Sequence, residues 1–238
     1  MADMTKTWDR RTGVDIVTSH LYEEIVSLRL LPGSKISEAE IATRFGVSRQ
    51  PVRDAFTRLA NMDLLLIRPQ KATEVKRFSN RTIEKARFVR ATIEAEVLRR
   101  AATHCDSAGA AALDAAITAQ KALMENADFD AFGQMDYDFH RLLCEIAGTE
   151  YAFDVIRSEK SKLDRLCMLA LSKERGMPLL IEDHAAIARH VIAHDPDAAV
   201  AAGKLHLSRL DSTIAAIREK NSAYFDPDEE PQAPARPL

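Results

Sequence analysis

Seven histidines are spread through the 238 residues, and three of them fall within "HAAIARHVIAH", residues 184 to 194. Imidazoles can be metal ligands, proton carriers or satisfied core groups, and helix phase decides which of a cluster can act together. His190 and His194 have the i, i+4 spacing that stacks two side chains on one helix face, the usual first guess for a ligand pair. Phase argues against that pair. At about 100° per residue, His184 points with Leu180, Ile187, Ala188 and Val191 into the apolar stripe. His190 points with Glu182, Asp183, Ala186 and Arg189, and His194 sits at the stripe's edge just before Asp195-Pro196.

The same test finds two further elements that aim chemistry inward. Asp136 lies in the middle of a face made by Phe129, Phe132, Phe139, Leu143 and Ala147, with His140 as its i+4 neighbour. An unpaired carboxylate there would cost several kcal/mol, on the order of what burying a lone charge costs after relaxation, so it needs a partner. His206 shares its face with Ala199, Ala202, Gly203, Leu210 and Ile217, small residues that predict room beside the imidazole. One Asp and three His on three helices supply ligands suited to a divalent transition metal. The alternative, that each histidine is a satisfied core residue, stays open at this level. Arg90 is also aimed into the apolar face, among Ile83, Ala86, Ile93, Val97 and Ala101, and two readings fit it: a clamp for an organic acid, or an internal i, i+4 pair with Glu94. Arg165, in "KLDRLCMLAL", is a weaker candidate for the same cavity.

These residues must be positioned by a mostly α chain. From Ser79 onward no strand is predicted, and the segments 80–104, 107–125, 128–147, 151–174, 178–194 and 196–221 repeat apolar residues at helical spacing, giving about six antiparallel helices with short connections. The front is different. A helical stripe over 14–28 ends at Pro32-Gly33, "SEAE" (37–40) has the form of a capping box for a short helix stopped by Gly46, and Ser48 can cap a third helix carrying Val52, Ala55, Phe56 and Leu59. "LLLIR" and "ATEVKRF" then read as a β-hairpin turning at Pro69-Gln70-Lys71. Three helices and a hairpin predict a winged helix-turn-helix over residues 1–78, followed by an all-α bundle over 79–222 and a proline-rich, acidic, disordered tail over 223–238.

Charge follows that division. The chain is net -3, but residues 1–78 hold 13 Lys and Arg against 10 Asp and Glu, so the front is +3 and the remainder -6. Within 44–77 eight cations (Arg44, Arg49, Arg53, Arg58, Arg68, Lys71, Lys76 and Arg77) face three acids, which suggests a local contact with a polyanion. In a helix-turn-helix the second helix enters the DNA major groove by its N-terminal residues, here Ser48, Arg49, Gln50 and Arg53. Arg can grip guanine, Gln adenine, and Ser with the helix amides a phosphate, while Lys71 at the hairpin tip can reach the backbone or minor groove. Cys105, Cys144 and Cys167 are far apart and form no C-x-x-C pair, so neither a disulfide framework nor a thiolate zinc site is expected. No run of 18 apolar residues and no signal-like N-terminus occur, so no membrane partner and a cytoplasmic location are expected.

"ISEAEIATRFGVSRQPVRDAFTRLANMDLLLIRPQKATEV" resembles the DNA-binding domain of GntR-family bacterial regulators over residues 12–77, through its Pro-Gly turn, the helix before Gly-Val-Ser-Arg-x-Pro-Val-Arg, and the hairpin. The resemblance implies that Arg49 and Arg53 are DNA-contacting arginines and Lys71 the basic wing tip. Gln50 replaces the commoner Thr, Ala39 stands where some members have a contacting Arg, and Ala72 stands where the wing usually has Gly. Residues 79–221 resemble the FCD effector domain of the FadR-type subfamily, through "MDYDFHRLLCEIAG", "EDHAAIARHVIAHDPDAAVAAGKLHL" and "FVRATIEAEVLRRAA"; about six helices suggest the shorter VanR-like group. That resemblance implies Asp136, His140, His184 and His206 as ligands of a metal, zinc or nickel, with open positions where a small carboxylate effector binds. It assigns no such role to His190 or His194. The expected function is a ligand-responsive regulator, a repressor rather than an enzyme, that binds a palindromic double-stranded operator as a homodimer. The alternative is a helical metal-dependent hydrolase fused to a DNA-binding module.

Overall fold

The computed structural model describes residues 12–125, 129–171 and 176–227; the side chains of 125, 129, 130 and 168–171 are not described, so Phe129, residues 172–174 of the expected fourth bundle helix and the tail from 228 lie outside. Packing divides the chain between Arg77 and Phe78 into two units, each with its own core.

The first unit contains α1 (Gly13–Val26), β1 (Lys35–Ile36), α2 (Glu38–Phe45), α3 (Arg49–Asn61), β2 (Leu65–Leu66) and β3 (Thr73–Val75). Thr12 and Asp15 form a capping box at the start of α1, and Ser37 Oγ accepts from Ala39 N at the start of α2. Gly46 ends α2 at φ 64°, a left-handed conformation that costs glycine nothing. The stripe Val17, Leu21 and Ile25 of α1 meets Val52, Ala55, Phe56 and Leu59 of α3, all essentially inaccessible. Two details differ from the sequence reading. β1 makes the hairpin a three-stranded antiparallel sheet of order β1-β3-β2, with Lys35 and Leu66 both opposite Glu74; a two-residue strand is too short to show an alternation. The wing's left-handed residue is Gln70 (φ 58°), so its turn does not need the glycine that Ala72 replaces.

The second unit consists of α4 (Asn80–His104), α5 (Ser107–Ala122) with a 3₁₀ turn at Leu123–Glu125, α6 (Phe129–Ile146), α7 (Glu150–Ser161), α8 (Asp164–Leu171), α9 (Gly176–Ile192) and α10 (Pro196–Lys220). The described residues therefore hold seven helices in this unit where six were expected, because 151–174 breaks at Lys162-Leu163, where no glycine or proline marks the break. The six-helix VanR-like expectation loses its basis. The chain also stays packed beyond 222. Ser222–Tyr224 form a 3₁₀ turn, and Phe225 is buried against Phe78, bridged to it by Phe78 N to Tyr224 O (2.8 Å) and Asp226 N to Phe78 O (2.9 Å). An aromatic residue at 225 holds this part of the expected tail to the bundle.

α10 packs closely on α4 and α9. Gly203 of α10 lies against Leu98 of α4, whose Cδ1 fills the space a Cβ would need. The small residue thus serves a close helix approach, and the room predicted beside His206 is here taken by Leu98. Gly133 of α6 is helical too, but a Cβ there meets nothing. Gly133→Ala should raise stability by about 0.5–1 kcal/mol, whereas Gly203→Ala should lower it by about 1 kcal/mol or more through overpacking. Equal shifts in thermal midpoint for the two would refute the close approach.

Candidate metal centre and nucleic-acid interface

Asp136 and His140 sit one turn apart on α6, His184 on α9 and His206 on α10, all buried. One ligand-capable atom from each lies within 4.8 Å of the others. The imidazole centroids of His184 and His206 are 4.6 Å apart, and those of His140 and His206 5.4 Å. Asp136 Oδ1 lies 3.4 Å from His184 Nε2 and 4.0 Å from His140 Nε2.

Neighbouring groups orient the rings. His140 Nδ1–H donates to Glu94 Oε2 (3.0 Å), and His184 Nδ1–H donates to Gln120 Oε1 (2.8 Å), so in both rings the Nε2 lone pair is left to face the cluster. His140 Nε2, His184 Nε2 and His206 Nδ1 have no hydrogen-bond partner among the described residues, although all are buried. Each orphan of this kind costs about 1–3 kcal/mol, and two of them facing Asp136 Oδ1, with the His206 ring beside them, fit a cation. Burial, together with the other imidazoles, pushes His206 well below the usual histidine range; burial also lowers His184 despite Asp136 beside it. Neutral imidazole is the form that ligates metal.

Asp136 is held in its charged form. Burial alone would raise its pKa, but the Lys160 ammonium, 3.1 Å from Oδ2, and the two nearby histidines outweigh it and keep the carboxyl well below the ordinary range. Lys160, on α7, is itself buried, lies over the Tyr137 ring at 3.8 Å and approaches Asp164 Oδ1 at 3.5 Å; burial works against its charge, and Asp136 and Asp164 more than restore it. Tyr137 donates to Asp164 (2.9 Å to Oδ2), closing the network. Sequence analysis missed Lys160 and Gln120. Both follow from the test that found Asp136: Lys160 continues the buried row Ala152, Ile156, and Gln120 the row Leu113, Ile117.

Arg90 makes the internal pair. Its Nε donates to Glu94 Oε1 (2.7 Å), and the other Glu94 oxygen holds His140, so Arg90, Glu94 and His140 form a chain. Arg165 is buried with its guanidinium over Phe78 at 4.4 Å. His190 is half-buried outside the cluster, and His194 is exposed, with Nδ1 on Ala102 O (2.8 Å). Asp183, read as sharing the solvent side with His190, is instead buried in a two-bond pair with Arg209.

In the first unit Ser48, Arg49, Gln50 and Arg53 are exposed along the start of α3, and Lys71 is exposed in the wing. Ser48 makes no capping bond, which leaves its hydroxyl available. Of the eight cations between 44 and 77, five are paired: Arg44 with Glu24, Arg53 with Glu38, Arg58 with Asp15, Lys76 with Asp63 and Arg77 with Glu74. The positive field narrows to Arg49, Arg68 and Lys71. Arg68 and Lys35, the latter not singled out from the sequence, join Lys71 around a cleft of about 330 Å³ beside the wing.

Residues 15–75 match the bacterial regulatory proteins of the gntR family, and residues 86–209 match the FCD domain. The chain is 34% identical over 205 residues to the transcriptional repressor RspR of Escherichia coli, spanning 86% of this chain and 90% of that protein. It is 30% identical over 143 residues to a probable D-xylose utilization operon transcriptional repressor of Paenarthrobacter nicotinovorans, spanning 60% and 63%. The solved structure of E. coli McbR/YncC superposes with a TM-score of 0.62 over 88% of this chain and 99% of that one at 16% identity, a likeness of fold. The family matches and the curated relatives are those of transcriptional regulators and not of enzymes, so the hydrolase alternative is set aside. No described helix is long and apolar enough to cross a membrane.

Replacing Lys160 by Met removes the charge that Asp136 and Asp164 share. Breaking a buried pair in this way costs about 3–5 kcal/mol. The helical unit of the metal-free variant should therefore melt well below wild type by calorimetry; an unchanged midpoint would show that Lys160 does not hold the carboxylate.

Proposed function

The chain belongs to the GntR family of bacterial regulatory proteins, with a GntR DNA-binding domain followed by an FCD domain, and from that premise we propose a ligand-responsive repressor whose FCD unit senses a small carboxylate at a metal site. In this reading it acts in the cytoplasm, binds a palindromic operator as a homodimer and holds zinc or nickel through Asp136, His140, His184 and His206. The observation that carries the proposal is that Asp136, His140, His184 and His206, all buried, bring ligand-capable atoms within 4.8 Å of one another, while each imidazole has a nitrogen with no hydrogen-bond partner among the described residues. When bound, the metal supplies a positive centre with coordination positions left for a carboxylate. The chain's own residues do the rest. Glu94 and Gln120 fix the ring tautomers, Lys160 keeps Asp136 ionised, and the cations offered to the effector are Arg165 and the guanidinium edge of Arg90 that Glu94 does not use. A sugar-derived acid suits this chemistry.

On the DNA side, Ser48 and the amides of α3 hold a phosphate, Arg49, Gln50 and Arg53 read base edges, and Lys71 reaches the backbone. For the effector to release DNA it need only favour one domain arrangement by about 1–3 kcal/mol.

Metal analysis of purified protein tests the centre: wild type and His190→Ala should retain one divalent ion per chain, and Asp136→Ala and His184→Ala should lose it. The reverse pattern would overturn the ligand set. In a gel shift with a duplex selected by the wild-type protein, Arg49→Ala should weaken binding about ten- to hundredfold, and Lys71→Ala should lower the salt dependence by about one ion. Wild-type binding by Arg49→Ala would remove α3 as the reading element.

A further inference from the structure

Arg53 is not presented alone. On α3 it faces Glu38, the first residue of α2, which accepts from Arg53 Nε at 3.4 Å and from Nη2 at 3.1 Å. Those two donors form the side edge of the guanidinium. The end edge, Nη1 with the second Nη2 proton, is left over, and it is the edge that can grip guanine O6 and N7 with two parallel bonds. The pair is set between two well-fixed backbones: Ser37 caps α2 beside Glu38, and Val52 and Ala55 bury the face of α3 next to Arg53. The geometry points to Glu38 as a specificity-determining positioning residue that aims Arg53 at a guanine in the operator half-site. This inference rests on the reading of α3 as the DNA-reading helix.

Three consequences of the arrangement favour base over backbone for Arg53. A carboxylate beside the guanidinium repels a phosphate that would otherwise compete for it. Holding Nε and Nη2 restricts the long side chain before DNA arrives, so less freedom is lost on binding. Sharing one plane between carboxylate and base also fixes the approach angle. Arg49 makes no ion pair among the described residues and Gln50 Nε2 donates to Asp54 Oδ1 (2.9 Å), so of the three candidate readers Arg53 alone is tied to a second helix.

The test uses the full-length protein and a duplex enriched by the wild type from a library with a randomised core. Binding is then measured to that duplex, to every single-base-pair variant of it, and to an unrelated duplex. Arg53→Ala should abolish the preference at one G·C pair per half-site. Glu38→Ala should reduce the preference at that same pair at least tenfold while changing affinity for the unrelated duplex less than threefold, and Glu38→Gln, which keeps one acceptor, should fall between. The Glu38→Ala/Arg53→Ala double variant should discriminate no worse than Arg53→Ala alone. The inference is overturned if Glu38→Ala keeps the wild-type preference, if it tightens binding to all duplexes, or if Arg53→Ala weakens all duplexes equally. If the wild type enriches no sequence, the DNA-reading function itself fails and this inference with it.

Discussion

A carboxylate in the middle of a helical bundle must be partnered, and much of the second unit follows from how Asp136 is partnered. The Asp136 side chain is buried on a face that otherwise holds Phe132, Phe139 and Leu143. Lys160 arrives from α7, His184 from α9 and His206 from α10, so helices far apart in sequence are committed to one point. Lys160 pairs with Asp136 but is shared with Asp164. It does not satisfy the imidazoles, and the unpartnered Nε2 atoms of His140 and His184 face the same carboxylate. A site with its carboxylate only partly offset and its neutral imidazoles unsatisfied is suited to a cation that binds mainly through nitrogen.

Around that point a second ring of contacts decides how the donors face. Glu94 and Gln120 each take one ring proton, and a ring whose Nδ1 donates must offer Nε2. Glu94 is tied to Arg90, whose charge, with the hydrogen bond from His140, keeps it ionised against the cost of burial. The pairing of Asp183 with Arg209 adds a rigid tie between α9 and α10 one residue from His184. These contacts hold the rings through groups that are not themselves ligands.

How much of this was legible depended on whether a residue announced itself by phase. Asp136, His184 and His206 did, because a polar side chain on an apolar stripe of a long helix is visible at 100° per residue. Lys160 and Gln120 sit on stripes just as clear but drew no notice, since a lysine or glutamine near a helix end is normally read as solvated. Phase gives direction and not distance. It could show that Arg90 points inward with Glu94, but not that they bond to each other, nor that Leu98 would fill the hollow at Gly203. The break between α7 and α8 left no glycine or proline to mark it, and the two-residue β1 left no periodic trace because it depends on pairing with β3, remote in the chain. The buried Phe225 was hidden by its acidic, proline-rich surroundings.

The two units use charge in opposite ways. In the first, most ion pairs are exposed and contribute little to stability, and they leave Arg49, Arg68 and Lys71 with no ion pair among the described residues. In the second, the pairs around Asp136 and Glu94 are buried, and removing one partner leaves a charge the interior cannot solvate. The element common to the buried network and to the boundary between the units is α4. It carries Arg90 and Glu94, through which His140 is held, and it begins at Asn80, three residues after the first unit ends. A change in how His140 is engaged therefore acts, through Glu94, on α4, the helix with which the second unit begins.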